Sequence, residues 1–537
     1  LAQTCVELGE IFDRYGYEDS VIFGHAKDGN IHFMITDDFG PADNMKRYEQ
    51  FTEDMVDVIL NYSGSLKAEH GTGRIMAPFV PRQWGGELFE VMVETKNLFD
   101  PKRLLNDNTI VTEDAKLHLK DFKTPVSIVE PGDYALLDRC VSCGYCEPVC
   151  PSRDLTMTPR QRIAMRREIE LAKLAGDTAT AEKLSKQFRY DGRDTCAVCG
   201  LCSTVCPLTI NTALLVKKYR KSEHPALGGA VWSFAAKHWG GTVNVASAAM
   251  SVAHALPGPL KSAVIGINKA GRAILGDDNL QLISKELPGG GRSRKGEDPG
   301  GDVAAVYVPA CVNTMFGPAK GEGVQAAFEE LLKLAGIKVR IPEGINSMCC
   351  GTVWSSKQIP QGYEAMRKVV LPKIKAASEN GRLPVICDAS SCTEGYAHII
   401  ATDDTLDIEV IDAVAFVAEH VLPKLGSYPK LPSLTLHETC SSTQMGLNPA
   451  FETVAAAVAD KVNVPIANGC CAFAGDRGML HPELTRAATR PEAAEVAKLN
   501  ASAHASVNRT CELGLTRATG KIYQHVLELL VQQVKLG

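Results

Sequence analysis

The chain has 537 residues, enough for several domains, and a formal net charge of −6 with no long basic run. That balance argues against a nucleic-acid partner. Its 18 cysteines would build disulfides in a small secreted protein, but at metal-type spacings in a long chain they read as thiolate ligands in a reducing cytoplasm.

The opening LAQTCVELGEIFDRYGYEDS predicts a helix running directly into a strand, as in the middle of a domain, so a longer polypeptide is expected before Leu1. VIFGHAKDGNIHFMIT follows as strand–turn–strand, with Asp28-Gly29-Asn30 at the turn. NMKRYEQFTEDMVDVILNYSG has helical spacing and stops near Gly64, and ELFEVMVETKNLFDP is a helix ended by Pro101. Together these predict a domain over 1–112, followed by a polar link over 113–130. Within it, His25 and His32 of GHAKDGNIH and Glu69 of AEHGTGR are suitable ligands for a divalent metal, and an open coordination position polarises an oxygen substrate. Scattered histidines alone are more often structural. GTGR (Gly71 to Arg74) is no pyrophosphate loop, because no βαβ unit with a downstream acid surrounds it.

GHAKDGNIH, AEHGTGR and LFDPKRLLN resemble the C-terminal domain of FAD-linked oxidases of the D-lactate and D-2-hydroxyglutarate dehydrogenase type, over most of residues 1–112. The resemblance implies an α+β domain in which His25, His32 and Glu69 hold a zinc-like divalent metal near FAD. It implies further that His70 takes the substrate hydroxyl proton while hydride passes from the α-carbon to the flavin. Asn106 stands where the family has an LNP motif that contacts FAD, but Asp107 follows it here. The FAD-binding half of the family is absent from this sequence and is expected as an upstream domain.

Residues 131–225 carry CVSCGYCEPVCP and CAVCGLCSTVCP, each a C-x2-C-x2-C-x3-C-P run with the spacing of cubane iron–sulfur clusters. Three thiolates wrap three corners of a cube, and in two-cluster ferredoxins the fourth reaches the other cluster. One 4Fe-4S cluster is therefore assigned to Cys140, Cys143, Cys146 and Cys206, the other to Cys196, Cys199, Cys202 and Cys150. Structural zinc, which usually takes two separated cysteine pairs, is the weaker reading. Thr158 is set to cap a helix with Pro159 at its first position, and RQRIAMRREIELAKLAG and the helix after it are amphipathic. This part is expected to be a helical two-cluster ferredoxin domain.

Residues 226–300 form a helical segment and linker. Residues 226–270 are apolar and Gly/Ala-rich, but Lys237, His238, Pro257 and Pro259 interrupt them, so no transmembrane helix is predicted. Peripheral contact at the inner face of a membrane stays open. LPGGGRSRKGEDPGGD, Leu287 to Asp302, has the composition of a linker.

A duplication follows, with repeats over 301–428 and 429–537. VAAVYVPACVN, IKVRIPEGINSMCCG and LPVICDASSC bring Cys311, Cys349, Cys350, Cys387 and Cys392; LTLHETC and VNVPIANGCCAFAG bring Cys440, Cys470 and Cys471, with Cys511 beyond. Short apolar strands alternate with helices, so each repeat is an α/β unit with cysteines at strand ends, where open α/β sheets bind ligands. Cys387, inside its strand end, reads as packed core, and His437, three residues before Cys440, as a structural histidine. Adjacent cysteines do not easily close a disulfide on each other.

These repeats resemble the cysteine-rich CCG domain of heterodisulfide reductases and of glycolate or lactate oxidase iron–sulfur subunits. The resemblance implies redox or metal sites at Cys311, Cys349, Cys350, Cys392, Cys440, Cys470, Cys471 and Cys511, and a further iron–sulfur cluster. Departures are Ala472 after the second pair, the wide Cys387–Cys392 spacing, and Asn508 three before Cys511. The alternative is buried structural thiols.

The whole order, a multidomain α/β and α+β chain, resembles single-chain FAD and iron–sulfur D-2-hydroxyacid dehydrogenases. It implies oxidation of a D-2-hydroxyacid, D-lactate or D-2-hydroxyglutarate, with electrons relayed through the clusters to a quinone or soluble acceptor. The alternatives are an iron–sulfur electron-transfer module without its own 2-hydroxyacid chemistry, or a heterodisulfide-reductase-like subunit. A homo-oligomer is left open.

Overall fold

The computed structural model describes residues 1–122, 126–128, 135–222, 226–277, 280–284 and 288–537. Parts of the expected link over 113–130, both ends of 131–225, and Leu287 at the head of the expected linker lie outside them. The chain divides into two units, Leu1–Val126 and Ser127–Gly537.

In the first unit, the opening helix forms over Ala2–Tyr15 and stops at Gly16, whose φ of 70° suits glycine. Strands β1 (Val21–Phe23) and β2 (His32–Met34) pair antiparallel, with Phe23 opposite His32. The connection needs its glycines: a Cβ on Gly24 would lie 2.6 Å from the Asn30 carbonyl oxygen, and Gly29 has φ 73°. Helix Ala42–Asn61 packs Phe51 against Phe12 at 5.8 Å and edge-on to Tyr17 at 5.0 Å. The expected polar link is in part packed structure. His118 is 2 % exposed against Phe79, Phe122 sits 4.6 Å from Phe39, and Arg74 pairs with Asp121 at 3.1 Å. Three apolar or aromatic side chains (Leu117, His118, Phe122) hidden among charges hold it there.

In the second unit, helices Pro159–Leu174, Thr178–Phe188 and Thr212–Ser222 surround the two cysteine runs. The Thr158 N–H donates to the Gln161 side chain at 2.9 Å, as the cap predicts. Each repeat is a four-stranded all-parallel sheet. The first has β3 (Ala305–Val308), β4 (Val339–Arg340), β5 (Val385–Cys387) and β6 (Val410–Asp412), in the order β4-β3-β5-β6. The second has β7 (Leu434–Leu436), β8 (Val462–Asn463), β9 (Ala503–Ser506) and β10 (Tyr523–His525), in the matching order β8-β7-β9-β10. Both central strands, β3 and β7, are wholly buried, as parallel sheets covered on both faces require. The chain reverses direction across each sheet at β3 and β7, so the cysteine loops gather at the switch points. One core spans both repeats, joining Val306 and Ile386 to Leu436, Phe451 and Val526.

Among the described residues no helix is long and apolar enough to cross a membrane. Helices Ala226–Lys237 and Trp239–Ala255 instead dock on repeat 1: Trp354, fully buried, donates to the Trp232 carbonyl at 3.1 Å and meets Trp239 at 4.8 Å. Trp354→Ala should cost about 3–5 kcal/mol, read as an earlier midpoint in anaerobic urea unfolding.

The expected linker is a packed strap. Arg294, 2 % exposed, donates to the carbonyls of Pro309, Asn346 and Met348 at 3.0–3.1 Å, and Glu297 bridges Ile341. Gly290, Gly291 and Gly296 serve close approach: a Cβ on Gly291 would lie 1.9 Å from the Asn313 carbonyl oxygen.

Candidate active site and thiol clusters

The β1–β2 turn and the loop after Ala42–Asn61 bring the predicted histidines to one carboxylate. Glu69 Oε1 lies 2.8 Å from His32 Nε2, 3.4 Å from His70 Nε2 and 3.7 Å from His25 Nε2. His25, His32 and Glu69 present ligand atoms within 4.8 Å of one another, a set that fits a divalent ion. Asn30, which sequence reasoning passed over, ties the set together: it accepts from the His25 N–H at 2.9 Å and donates to Glu69 Oε2 at 3.3 Å. A cavity of about 920 Å³ opens beside this set, lined by His32, Glu69, His70, Phe23, Met34 and Ile75 among others.

Asn106 does not line that cavity. It sits at φ 47° in a loop braced by Asp100, which accepts from the Leu104 and Leu105 N–H groups at 2.9 Å and from Lys96 at 2.7 Å. The Lys96 ammonium and these amides hold Asp100 down at about 2. Around this loop Leu98, Phe99, Leu104 and Leu105 are exposed.

In the second unit Cys150 is drawn to the second cysteine run. Burial raises the Cys150 thiol, and Cys199 adds to it. Burial likewise pushes Cys202 up to about 12, with the charges of Cys199, Cys196 and Cys150 contributing. Four thiols crowded this way cannot all ionise without a cationic centre among them, which is the condition a thiolate-held cluster meets. Cys140 and Cys206, from different runs, pack on one apolar cluster with Ile163 and Leu215, while Cys143 is exposed. Burial also raises Cys146, which feels Cys140.

Sequence reading missed the buried arginines. Arg162, 1 % exposed, donates to the Gly192 carbonyl at 2.7 Å, Ser152 Oγ at 3.0 Å and Cys150 Sγ at 3.7 Å. Arg220 donates to the Cys196 carbonyl at 2.8 Å and the Ser356 carbonyl at 3.1 Å, tying the second run to repeat 1.

The repeat thiols form chains. In repeat 1, Cys311 and Cys349 are 3.7 Å apart, and Cys350 hydrogen-bonds with Cys392, which hydrogen-bonds with Cys387. Cys387 thus belongs to the thiol set as well as to the core. In repeat 2, Cys470 lies between Cys440 and Cys199 of the second run, and Gln444 donates to the Cys199 carbonyl at 2.6 Å. Cys471 and Cys511 are 3.0 Å apart. His437 stands in this site: its Nδ1 meets both Glu492 oxygens, at 2.9 and 3.0 Å, and its buried Nε2 has no hydrogen-bond partner of proper geometry and faces Cys471. Burial opposes charge on this ring, but Glu492 and Cys471 outweigh it and hold the imidazole at about 10. The Cys511 thiol, against burial, and His437 pull Cys471 well below an ordinary thiol. Aligning the two repeats would have flagged both residues, since Cys387 matches Ser506 and His437 matches Val308.

Comparison with known proteins agrees with this layout. Residues 1–110 match the FAD linked oxidases, C-terminal domain; residues 136–210 match the 4Fe-4S dicluster domain; residues 305–394 and 434–516 match the cysteine-rich (CCG) domain. The chain thus joins, in order, an FAD-linked oxidase C-terminal domain, a 4Fe-4S dicluster domain and a duplicated cysteine-rich domain. Among curated relatives, glycolate oxidase subunit GlcD of Bacillus subtilis is 34 % identical over 94 residues, 18 % of this chain and 20 % of the relative. D-2-hydroxyglutarate dehydrogenase of Escherichia coli is 24 % identical over 274 residues, 42 % of this chain and 26 % of the relative. D-lactate dehydrogenase of Archaeoglobus fulgidus is 31 % identical over 113 residues, 21 % of this chain and 24 % of the relative. The matches thus cover between 20 % and 26 % of these relatives' length.

Proposed function

We propose that this chain is the substrate-side and electron-relay part of an FAD-dependent dehydrogenase that oxidises a D-2-hydroxyacid, D-lactate or D-2-hydroxyglutarate, to its 2-oxoacid. The observation that carries the reading is the convergence of His25, His32 and His70 on Glu69 beside a cavity of about 920 Å³. In this reading His25, His32 and Glu69 hold a zinc-like ion. His70, whose side chain is 63 % exposed, accepts the substrate hydroxyl proton at Nε2, which requires the neutral ring. When bound, FAD supplies the two-electron acceptor and the iron–sulfur clusters the one-electron relay.

Two 4Fe-4S clusters are assigned, one to Cys140, Cys143, Cys146 and Cys206, the other to Cys150, Cys196, Cys199 and Cys202. The repeat 1 thiols are proposed to hold a further iron–sulfur cluster. A separate FAD-binding domain is proposed to cover Leu98, Phe99, Leu104 and Leu105 and bring the flavin to Asn106; the exposure of that patch supports it. The final acceptor is a quinone or a soluble carrier. Exposed Phe234, Val245, Val252, Ile267 and Ile274 favour peripheral contact with a membrane on the way to the former.

An anaerobic absorbance titration with D-lactate and with D-2-hydroxyglutarate tests this. The chain alone should stay oxidised, and adding the FAD-binding domain should permit substrate-dependent bleaching of the iron–sulfur band. Bleaching of the chain alone by either acid overturns the reading. Cys150→Ser should damage the cluster of the Cys196 run, seen as loss of about half the ferredoxin-domain iron and of one EPR signal. Loss confined to the Cys140 run would reverse the assignment.

A further inference from the structure

The two repeats share one fold but present different donors. Three residues before the first cysteine, repeat 1 has Val308 and repeat 2 has His437; five before the last, repeat 1 has Cys387 and repeat 2 has Ser506. Repeat 2 has therefore lost a thiol and gained an imidazole at the same switch point. The imidazole is not packing filler. His437 is fully buried, with Nδ1 fixed by Glu492, itself 2 % exposed, while Nε2 is left without a hydrogen-bond partner and turned to the thiols.

We propose that repeat 2 holds a single zinc-type divalent ion through His437 Nε2, Cys471 Sγ and Cys511 Sγ, with Glu492 as the positioning residue. The three ligand atoms already lie within 4.8 Å of one another, and Cys471 and Cys511 are 3.0 Å apart. A tetrahedral centre with Zn–S of about 2.3 Å and Zn–N of about 2.0 Å needs only small side-chain adjustments from there. One nitrogen and two sulfurs suit zinc better than an all-thiolate iron–sulfur cluster. The carboxylate behind the imidazole is the usual outer partner of a metal-bound histidine, fixing its tautomer. Metal binding here would release the protons of the thiols and of the imidazole, as ligation by cysteine and histidine requires. Cys470 interacts instead with Cys440 and with Cys199 of the second run, so three protein donors make up this set. The inference does not depend on the hydroxyacid reading.

The test uses the full chain, purified anaerobically and dialysed against EDTA, in a Glu69→Ala background so that the first unit contributes no zinc. Metal content by mass spectrometry and zinc K-edge X-ray absorption are the readouts. About one zinc per chain is expected, with sulfur and nitrogen in its coordination shell. His437→Ala should remove it while iron content and the iron–sulfur absorbance stay unchanged. Glu492→Gln should weaken zinc retention roughly 10–100-fold in competition with a chelator. His437→Cys should restore retention, which separates ligation from a folding defect. Zinc unchanged in His437→Ala, no retained zinc in the parent chain, or iron with iron–iron scattering lost with His437 would each overturn the proposal.

Discussion

Glu69→Ala is expected to abolish divalent-metal binding in the first unit and, with the FAD-binding domain present, to bring flavin reduction close to background. The reason is geometric. One oxygen of Glu69 lies within 3.7 Å of three imidazoles, so its loss removes a ligand and the only negative charge among the groups of that cluster. Removing even an outer-shell partner typically costs metal affinity 10–100-fold, so loss of a ligand should exceed about a hundredfold. Asn30→Ala should have the smaller effect, roughly tenfold, because it removes the amide that bridges the His25 backbone and Glu69. His70→Ala should leave zinc binding intact and slow flavin reduction by a factor of about a hundred or more, the worth of a positioned base. Equilibrium dialysis with zinc and stopped-flow flavin bleaching measure the two effects separately. Zinc binding unchanged in Glu69→Ala would sink the metal assignment, and wild-type flavin reduction in His70→Ala would sink the base.

Arg162→Met should both destabilise the ferredoxin part and make its second cluster harder to reduce. Arg162 is a buried cation whose charge is supported by Cys196 and Cys150 against the cost of burial. Breaking such a pair by removing one partner costs about 3–5 kcal/mol. The methionine keeps the volume but leaves the Gly192 carbonyl and Ser152 without their donor. On the redox side, a unit charge about 4 Å away is worth on the order of 4 kcal/mol at an effective dielectric of about 20. Removing it disfavours the more negative reduced state and lowers the potential by up to roughly 170 mV on that basis. Arg162→Lys should restore most of the charge effect but not the fork to Gly192 and Ser152. EPR-monitored titration of the variants reads the shift, and an unchanged potential in Arg162→Met would show that the guanidinium acts only in packing.

What the sequence determined by itself were features whose cause is local. Cysteine spacing follows from the reach of one loop around one centre, so both ferredoxin runs were legible. Asp28-Gly29-Asn30 serves a turn of a few residues, and Thr158-Pro159 a helix start, so these too appeared in sequence. The duplication showed as strands ending in cysteine, and the sheets formed in matching order. The convergence of His25, His32, Glu69 and His70 was named from motif resemblance, not from spacing, since 37 positions separate His32 from Glu69.

Tertiary structure decided the rest, because burial and partnership across long separations leave no local signal. Arg162 and Arg166 occupy the polar part of a helical pattern, yet they are 1 % and 6 % exposed, because a carbonyl and a thiol from other segments receive Arg162 while the Tyr219 and Phe188 rings cover Arg166. Arg294 and Gly291 read as linker residues, but distant carbonyl groups receive one and crowd the other. His437 looked structural until Glu492, 55 residues away, was seen to hold one ring nitrogen and leave the other facing Cys471. A side chain's chemistry depends on whether water or another group meets its polar atoms, and only the folded chain brings those groups together.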